Sequence, residues 1–298
     1  MSDEALQHTE ITVLTHPEAL EGLTEALLSV GCRGVVSERR PLHLIVTAYL
    51  SATERAEEAV RAVRNRLRAL EKEGLRIGPG TIGLRTLGAE AWSEAWKDHF
   101  QLQRIAANLV IAPSWEGYAP AAGEAVVVLD PGTAFGTGGH PTTRLCLRAL
   151  VEHMRPGDRV ADVGCGSGIL AITAAVLGAR EVVATDRDGA ALPVARNNAL
   201  RNHVEARLRL IEADLLPPDA GAFDLITCNI TANEVARFAG DLRSALAPGG
   251  RFIASGFLAS SLAMVEDAVL RSGLQVVATP GEEGWTACVA VRPSRRRR

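Results

Sequence analysis

From Arg159 onward, short apolar runs and amphipathic stretches alternate along the chain. The runs at 159–163 (RVADV), 181–186 (EVVATD), 208–213, 224–229 (DLITCN), 251–256 and 285–291 predict strands. Helical spacing fills the intervals at 168–178, 188–201, 232–246 and 259–272. Near-continuous apolar strands separated by helices predict an α/β fold, a doubly wound parallel sheet covered on both faces.

The first part of the chain has a different rhythm. EITVLT at 10–15 predicts a strand, and Pro17 opens a helical pattern through Leu20, Leu23, Leu27 and Leu28 that Gly31 closes. Val35 to Ser37 and Leu42 to Leu50 predict two strands joined near Arg39-Arg40-Pro41. Ser51 with Glu54 has the spacing of a capping box, and the helix after it carries Ala56, Val60, Val63, Leu67 and Leu70 on one stripe. Residues 76–87 are Gly-rich and extended. The order β-α-β-β-α-β predicts a small ferredoxin-like α+β domain. No catalytic constellation falls within it, which suits recognition, assembly or plain scaffold.

Residues 88–100 form a short helical pattern in which Trp92 and Trp96 sit at i, i+4 as packing residues, and 101–129 read as extended segments ending in AVVVL. The expected division is a recognition domain at 1–87, a linker helix and extended segment at 88–129, a catalytic domain at 130–292 and a basic tail at 293–298.

Composition narrows the classes. The 298 residues are 47% hydrophobic and 22% charged, ordinary for a globular protein. A formal net charge of −3 argues against a bulk nucleic-acid binder. Arg295 to Arg298 follow Pro293 and Ser294 and read as a frayed, solvated tail. Cys32, Cys146, Cys165, Cys228 and Cys288 are scattered without a CxxC pair, so neither a disulfide framework nor a zinc site is indicated, and a reducing cytoplasm fits. The acidic, polar start reads as no secretory signal, and no window has the apolar length of a membrane span.

The sharpest feature is Val160-Ala161-Asp162-Val163-Gly164-Cys165-Gly166-Ser167-Gly168, where an apolar strand turns into a helix. Glycines there let the backbone approach a ligand and expose N–H groups at a helix start. Asp186 ends the next strand, 22 residues past Gly164, where a carboxylate accepts hydrogen bonds from a ribose diol. The spacing is G-x-G-x-G, unlike the G-x-G-x-x-G of dinucleotide oxidoreductases, and Asp162 stands two places before the first glycine. A carboxylate at that point suits a cationic cofactor and repels a pyrophosphate, which points to S-adenosyl-L-methionine. Asp214, ending the third strand, reads as an adenine partner, a helix cap or a solvated loop residue. Asn229, ending the fourth, reads as a holder of a target amine or as a turn residue bonded to its own backbone.

A second unusual segment is Leu129-Asp130-Pro131-Gly132-Thr133-Ala134-Phe135-Gly136-Thr137-Gly138-Gly139-His140-Pro141-Thr142-Thr143, before a helix with Leu147, Leu150, Val151 and Met154 on one stripe. A loop of this length without structure of its own is usually functional. His140 reads as a base, a ligand or a cap, and no neighbouring His or Cys supports a metal. Thr142 and Thr143 could offer hydroxyls to a cofactor or simply cap the helix.

DPGTAFGTGGHPTT, DVGCGSGILAI, ATD and NITA resemble the bacterial ribosomal protein L11 methyltransferases of the PrmA type, within the class I methyltransferases. Trp92-Ser93-Glu94-Ala95-Trp96-Lys97 and Ala112-Pro113-Ser114-Trp115 are similar to that family too. The resemblance spans roughly 90–292. It implies a seven-stranded Rossmann-like methyltransferase sheet with an antiparallel last strand at 285–291. It also implies methyl transfer to lysine and N-terminal amines of one ribosomal protein. Thr143, Gly164, Asp186 and Asn229 would contact the cofactor. With the motif reading, the expected cofactor contacts are Thr143, Gly164, Gly166, Asp186, Asn229, Asp162 and Asp214, and the expected catalytic positions Asn229 and Thr137, with no metal. Gly139 and Thr231 depart from the family pattern near the expected amine channel. The expected partner is the ribosomal protein substrate, with no membrane, no direct nucleic-acid binding and a monomeric enzyme. Three other readings compete: a lysine methyltransferase of another protein, such as an electron-transfer flavoprotein subunit, a nicotinamide-dependent oxidoreductase, and a cofactor-sensing protein without catalysis.

Overall fold

The computed structural model describes residues 8–41, 43–50, 55–88, 101–130 and 138–294. The Ser51 and Glu54 capping box, the Trp92 and Trp96 pair, Thr137 and the tail at 295–298 lie outside the described residues. The chain divides into two compact units, residues 1–99 and 100–298.

In the first unit, strand β1 (His8–Thr15) leads to helix α1 (Leu20–Ser29), strands β2 (Arg33–Arg39) and β3 (Leu44–Leu50), helix α2 (Ala56–Lys72) and strand β4 (Thr81–Leu87). Alternation along β1 buries Ile11 and Val13 on one face. Helix α2 buries Ala59, Val63, Leu67 and Leu70, a stripe at helical spacing. The four strands form an antiparallel sheet in the order β2-β3-β1-β4. The chain turns out of α1 at Gly31, whose φ of 85° is left-handed.

The second unit opens with a small sheet. Strands β5 (Gln103–Ala106) and β6 (Leu109–Pro113) pair antiparallel, and β6 pairs β7 (Ala125–Leu129) in parallel. After helix α3 (Pro141–His153) come β8 (Arg159–Val163), α4 (Ile169–Val176), β9 (Glu181–Asp186), α5 (Ala191–Arg201), β10 (Leu208–Glu212) and β11 (Phe223–Asn229). The unit ends with α6 (Ala232–Ala245), β12 (Leu246–Leu258), α7 (Leu262–Arg271), β13 (Gln275–Ala278), β14 (Gly281–Glu282) and β15 (Trp285–Val291). The main sheet runs β10-β9-β8-β11-β12-β15-β13, with two-residue β14 beside β15. Strands β10, β9, β8, β11 and β12 are mutually parallel, and β15 is antiparallel to both neighbours.

Two strands depart from the pattern read in the sequence. Strand β12 reaches back to Leu246 through Pro248-Gly249-Gly250, a stretch that reads as a turn. Strand β13 is not marked in the sequence, because its apolar run Val276-Val277-Ala278 is short and mostly exposed, and the backbone ladder to β15 holds it.

The register levels the strand ends. Val163 pairs Thr185 on one side and Cys228 on the other, and Asn229 pairs Ser255. Gly164, Asp186, Asn229 and Ser255 therefore stand along one carboxyl edge. Strand β8 is where the chain order reverses, with β9 to one side and β11 to the other. Ligand crevices of open α/β sheets form at such a switch point.

Candidate active site

The turn after β8 is built from left-handed glycines: φ is 74° at Gly164, 52° at Gly166 and 82° at Gly168. Gly164 and Cys165 both donate backbone N–H bonds to Thr185 O at 2.9 Å, which pins the turn to the end of β9. A Cβ on Gly164 would lie 2.6 Å from Ile230 Cγ2, so the turn and the chain after β11 meet where a side chain does not fit.

Asp186 closes the turn from the side. Its Oδ2 accepts from Gly166 N at 2.8 Å and its Oδ1 from Asp188 N at 2.9 Å. Each carboxylate oxygen has a second lone pair, enough to accept from two vicinal hydroxyls. Ala213 N donates to Asp186 O at 2.9 Å and brings the next residue, Asp214, to the neighbouring strand end. Asp214 is exposed in a bend and no helix starts there, so it is not a helix cap.

Asp162 stands behind the turn. It is 1% exposed; its Oδ1 accepts from Thr227 Oγ1 at 2.7 Å and its Oδ2 from Ala171 N at 3.2 Å. Burial pushes its carboxyl up to about 7, against these two bonds, with Asp186 adding to the rise. The side chain ties β8 to β11 and to the first turn of α4.

At the end of β11, Asn229 Nδ2 donates to Thr143 Oγ1 of α3 at 3.3 Å. Thr143 is fully buried. The Asn229 carbonyl, Oδ1, is buried and has no hydrogen-bond partner among the described residues. A buried amide acceptor left in this state costs roughly 1–3 kcal/mol unless something fills it. Of the two readings of Asn229, a turn residue bonded to its own backbone is not what the structure contains. Gly256, on β12, makes this strand end possible. Its φ is 103°, and a Cβ there would sit 2.2 Å from Ile230 O, so the Asn229-Ile230 backbone lies directly against it.

His140 is the N-cap of α3, its Nδ1 accepting from Thr142 N at 3.4 Å and lying 2.7 Å from Thr142 Oγ1. Neither Thr142 nor Thr143 is the cap. Burial, then the charge of Arg144, lowers the imidazole to about 4, so it is neutral at physiological pH. Its ring meets Trp285 edge-on, with centroids 4.6 Å apart. The residues before it are clamped. Gln103 donates its amide to Gly138 O at 2.7 Å and accepts from Gly139 N at 3.0 Å. Arg144 donates to Gly139 O, to Glu282 Oε1 at 2.8 Å and to Glu283 Oε1 at 2.7 Å. Burial raises the Cys146, Cys165 and Cys228 thiols around the site, which leaves no thiolate nucleophile among them.

The structure thus brings Gly164, Gly166, Asp186, Thr143 and Asn229 to one edge, sets Asp162 behind them and leaves Asp214 exposed beside Asp186. Sequence reasoning did not find Gly256, Gln103 or Arg144. A glycine before a helix carries no motif, and the other two act through backbone groups that no sequence pattern marks.

A left-handed glycine turn, a strand-end carboxylate and an amide at the end of the neighbouring strand, around a topological switch point, define a nucleotide-cofactor site of the α/β class. The ribosomal protein L11 methyltransferase (PrmA) family model matches residues 7–293, and the chain belongs to that family. It is 35% identical over 313 residues to a ribosomal protein L11 methyltransferase of Exiguobacterium sibiricum, covering 96% of this chain and 99% of that protein. It is 44% identical over 237 residues to the one of Symbiobacterium thermophilum, covering 75% and 77%. Among solved structures, ribosomal protein L11 methylase of Lactobacillus delbrueckii subsp. bulgaricus superposes with a TM-score of 0.61 at 34% identity, over 65% of this chain and all of that one.

Proposed function

We propose that this protein transfers methyl groups from S-adenosyl-L-methionine to ribosomal protein L11, at lysine side chains and the N-terminal α-amine. The observation that carries the reading is the Asn229 carbonyl, buried at the strand end beside the glycine turn and without a hydrogen-bond partner among the described residues. Family membership supplies the substrate and the reaction. The residues fit the cofactor: the turn has no room for a side chain at Gly164, its backbone is left-handed at Gly166, and Asp186 has lone pairs for a ribose diol.

When bound, the cofactor supplies a methyl group on a cationic sulfonium. The protein's part is to bind, orient and exclude water. Asn229 Oδ1 accepts an N–H of the target amine, and Thr143 fixes the amide's direction from the other end. Only a neutral amine has the lone pair that attacks, and a free lysine, with a pKa near 10.4, is mostly protonated at neutral pH. An acceptor holds the neutral amine by its N–H and leaves the lone pair free to line up with the methyl group. His140, lowered to about 4 and with its Nδ1 occupied as a helix cap, is too weak a base to hold the amine's proton, and we assign no side chain as an obligatory base. Thr137, outside the described residues, is proposed as a second catalytic position in addition to Asn229. Asp162 and Asp214 are assigned to the cofactor site, the first bracing the turn and the second at the adenine end.

The β-α-β-β-α-β order of the first unit and its sheet order β2-β3-β1-β4 support a ferredoxin-like domain that recognises the substrate. The seven-strand path with antiparallel β15 supports the methyltransferase sheet. Among the described residues no helix is long and apolar enough to cross a membrane. We further propose a cytoplasmic, monomeric enzyme whose partner is the ribosomal protein substrate, without direct nucleic-acid contact.

Incubation of the full-length protein with isotope-labelled S-adenosylmethionine and purified L11, followed by mass spectrometry, tests the reading. Label on lysine and N-terminal peptides is expected. Label on no L11 peptide, with another protein labelled in a ribosome-free extract, sinks the substrate assignment.

A further inference from the structure

Helix α5 touches both halves of the site without belonging to either. Asn198, fully buried on its inner face, accepts through Oδ1 from Asp130 N at 2.9 Å and donates through Nδ2 to Ser167 O at 3.0 Å. Ser167 lies in the glycine turn. Asp130 directly follows β7. One amide therefore spans the cofactor turn and the end of β7, with both ends engaged.

Two neighbours make this span a fixed one. Ala195, three residues earlier on the same helix, packs against the turn so closely that a Cβ on Gly168 would be 3.0 Å from Ala195 Cβ. Asn202, one turn later, accepts from Val128 N at 2.8 Å and donates to Val128 O at 2.6 Å. It pairs the outer edge of β7, whose strand partner is β6 on the other side, much as a further strand would. Asn202 thus braces β7, and Asn198 alone of the two reaches the turn.

We infer that Asn198 is a positioning residue for methyl transfer: its side-chain amide sets the spacing between the cofactor turn at Ser167 and the end of β7 at Asp130. The inference rests on the proposed cofactor site. An amide is the side chain that meets both demands here, since one end must accept from a backbone N–H and the other donate to a backbone carbonyl. Losing the donor leaves Ser167 O buried without it and frees the turn to shift, and a shift of about 1 Å in a bound reactant can cost on the order of a hundredfold in rate.

The test uses the full-length protein and the affinity for S-adenosylhomocysteine measured by calorimetry, with melting temperature recorded alongside. Asn198→Asp keeps the acceptor toward Asp130 N and sets a carboxylate oxygen against Ser167 O. At about pH 8.5, where that carboxyl is ionised, binding is expected to weaken roughly tenfold. It should recover toward the wild-type value at about pH 6, where burial helps the carboxyl regain a proton and donate again. Asn202→Ala should lower the melting temperature and leave affinity within about twofold, because it does not touch the turn. Asn198→Ser, whose hydroxyl is too short to bridge the two backbone groups, should weaken binding at both pH values. Unchanged affinity in folded Asn198 variants overturns the inference, as does an equal loss in Asn202→Ala. Failure of both Asn198 variants to fold while Asn202→Ala folds makes the residue a structural tie and overturns it equally. If the wild-type protein itself does not bind S-adenosylhomocysteine, the proposed cofactor site fails instead.

Discussion

Two strand ends, one residue apart in role and two strands apart in space, are finished in opposite ways. At the end of β9 the Asp186 carboxylate has a backbone donor on each oxygen and a backbone carbonyl beside it that accepts from Ala213. At the end of β11 the Asn229 amide is anchored by its nitrogen and left open at its oxygen. The first end is satisfied before any ligand arrives, and a ligand shares it. The second holds a buried acceptor in reserve, a cost the fold carries because only the reacting partner removes it. Binding belongs to the completed end and chemistry to the incomplete one.

The comparison breaks most completely at Gly256. A side chain there would lie 2.2 Å from Ile230 O, on a backbone whose φ of 103° is already unsuited to one. Gly256→Ala should destabilise the second unit by about 3 kcal/mol, the combined scale of backbone strain and overpacking. A urea midpoint equal to wild type would show that the close approach is not needed. Next comes Asn229→Ala, which empties the open end and spares the closed one. Turnover on L11 should fall on the order of a hundredfold while S-adenosylhomocysteine affinity falls much less. Equal losses in rate and affinity would erase the distinction between the two ends. Asp186→Ala reverses the emphasis: cofactor affinity should weaken by about 2 kcal/mol, the scale of hydrogen bonds to a charged group, and calorimetry on the folded variant reads it directly.

Much of this contrast was legible in the sequence. The glycine turn, Asp186 and Asn229 could be placed because apolar runs mark parallel strands, and function in such sheets gathers where strands end. What was not legible lies in backbone-to-side-chain geometry. The sequence places Asp162 as a carboxylate suited to a cationic cofactor, but does not mark that it is 1% exposed, with Ala184 and Thr227 as its strand neighbours. His140 has three readings in sequence, and the structure makes it the cap of α3. Gly256 and Asn198 look ordinary in sequence, because their partners are the carbonyls of Ile230 and Ser167, distant in the chain and silent in any side-chain pattern.

The last expected effect separates two residues that flank the site, and it is read as a slope. His140 is lowered in the folded protein from 6.5 to about 4. Between those values the unfolded chain binds a proton that the fold refuses, so this residue makes stability rise with pH across that window and drains it as pH falls through about 4. Asp162 is raised from 3.8 to about 7. There the fold holds a proton that the unfolded chain lacks, so its contribution is complete below 3.8 and is lost as pH rises through about 7. From about 4 to 6.5 the two oppose one another, each at most about 1.4 kcal/mol per pH unit, and the wild-type protein shows little net slope from the pair. Removing either one unmasks the other. His140→Ala should also lose a helix cap, about 1 kcal/mol, and then show stability that falls as pH rises from about 4.5 to 6.5. Asp162→Asn should show stability that rises over the same interval. Chemical unfolding at several pH values measures both slopes, and parallel curves for the two variants would mean that neither group titrates as its burial demands.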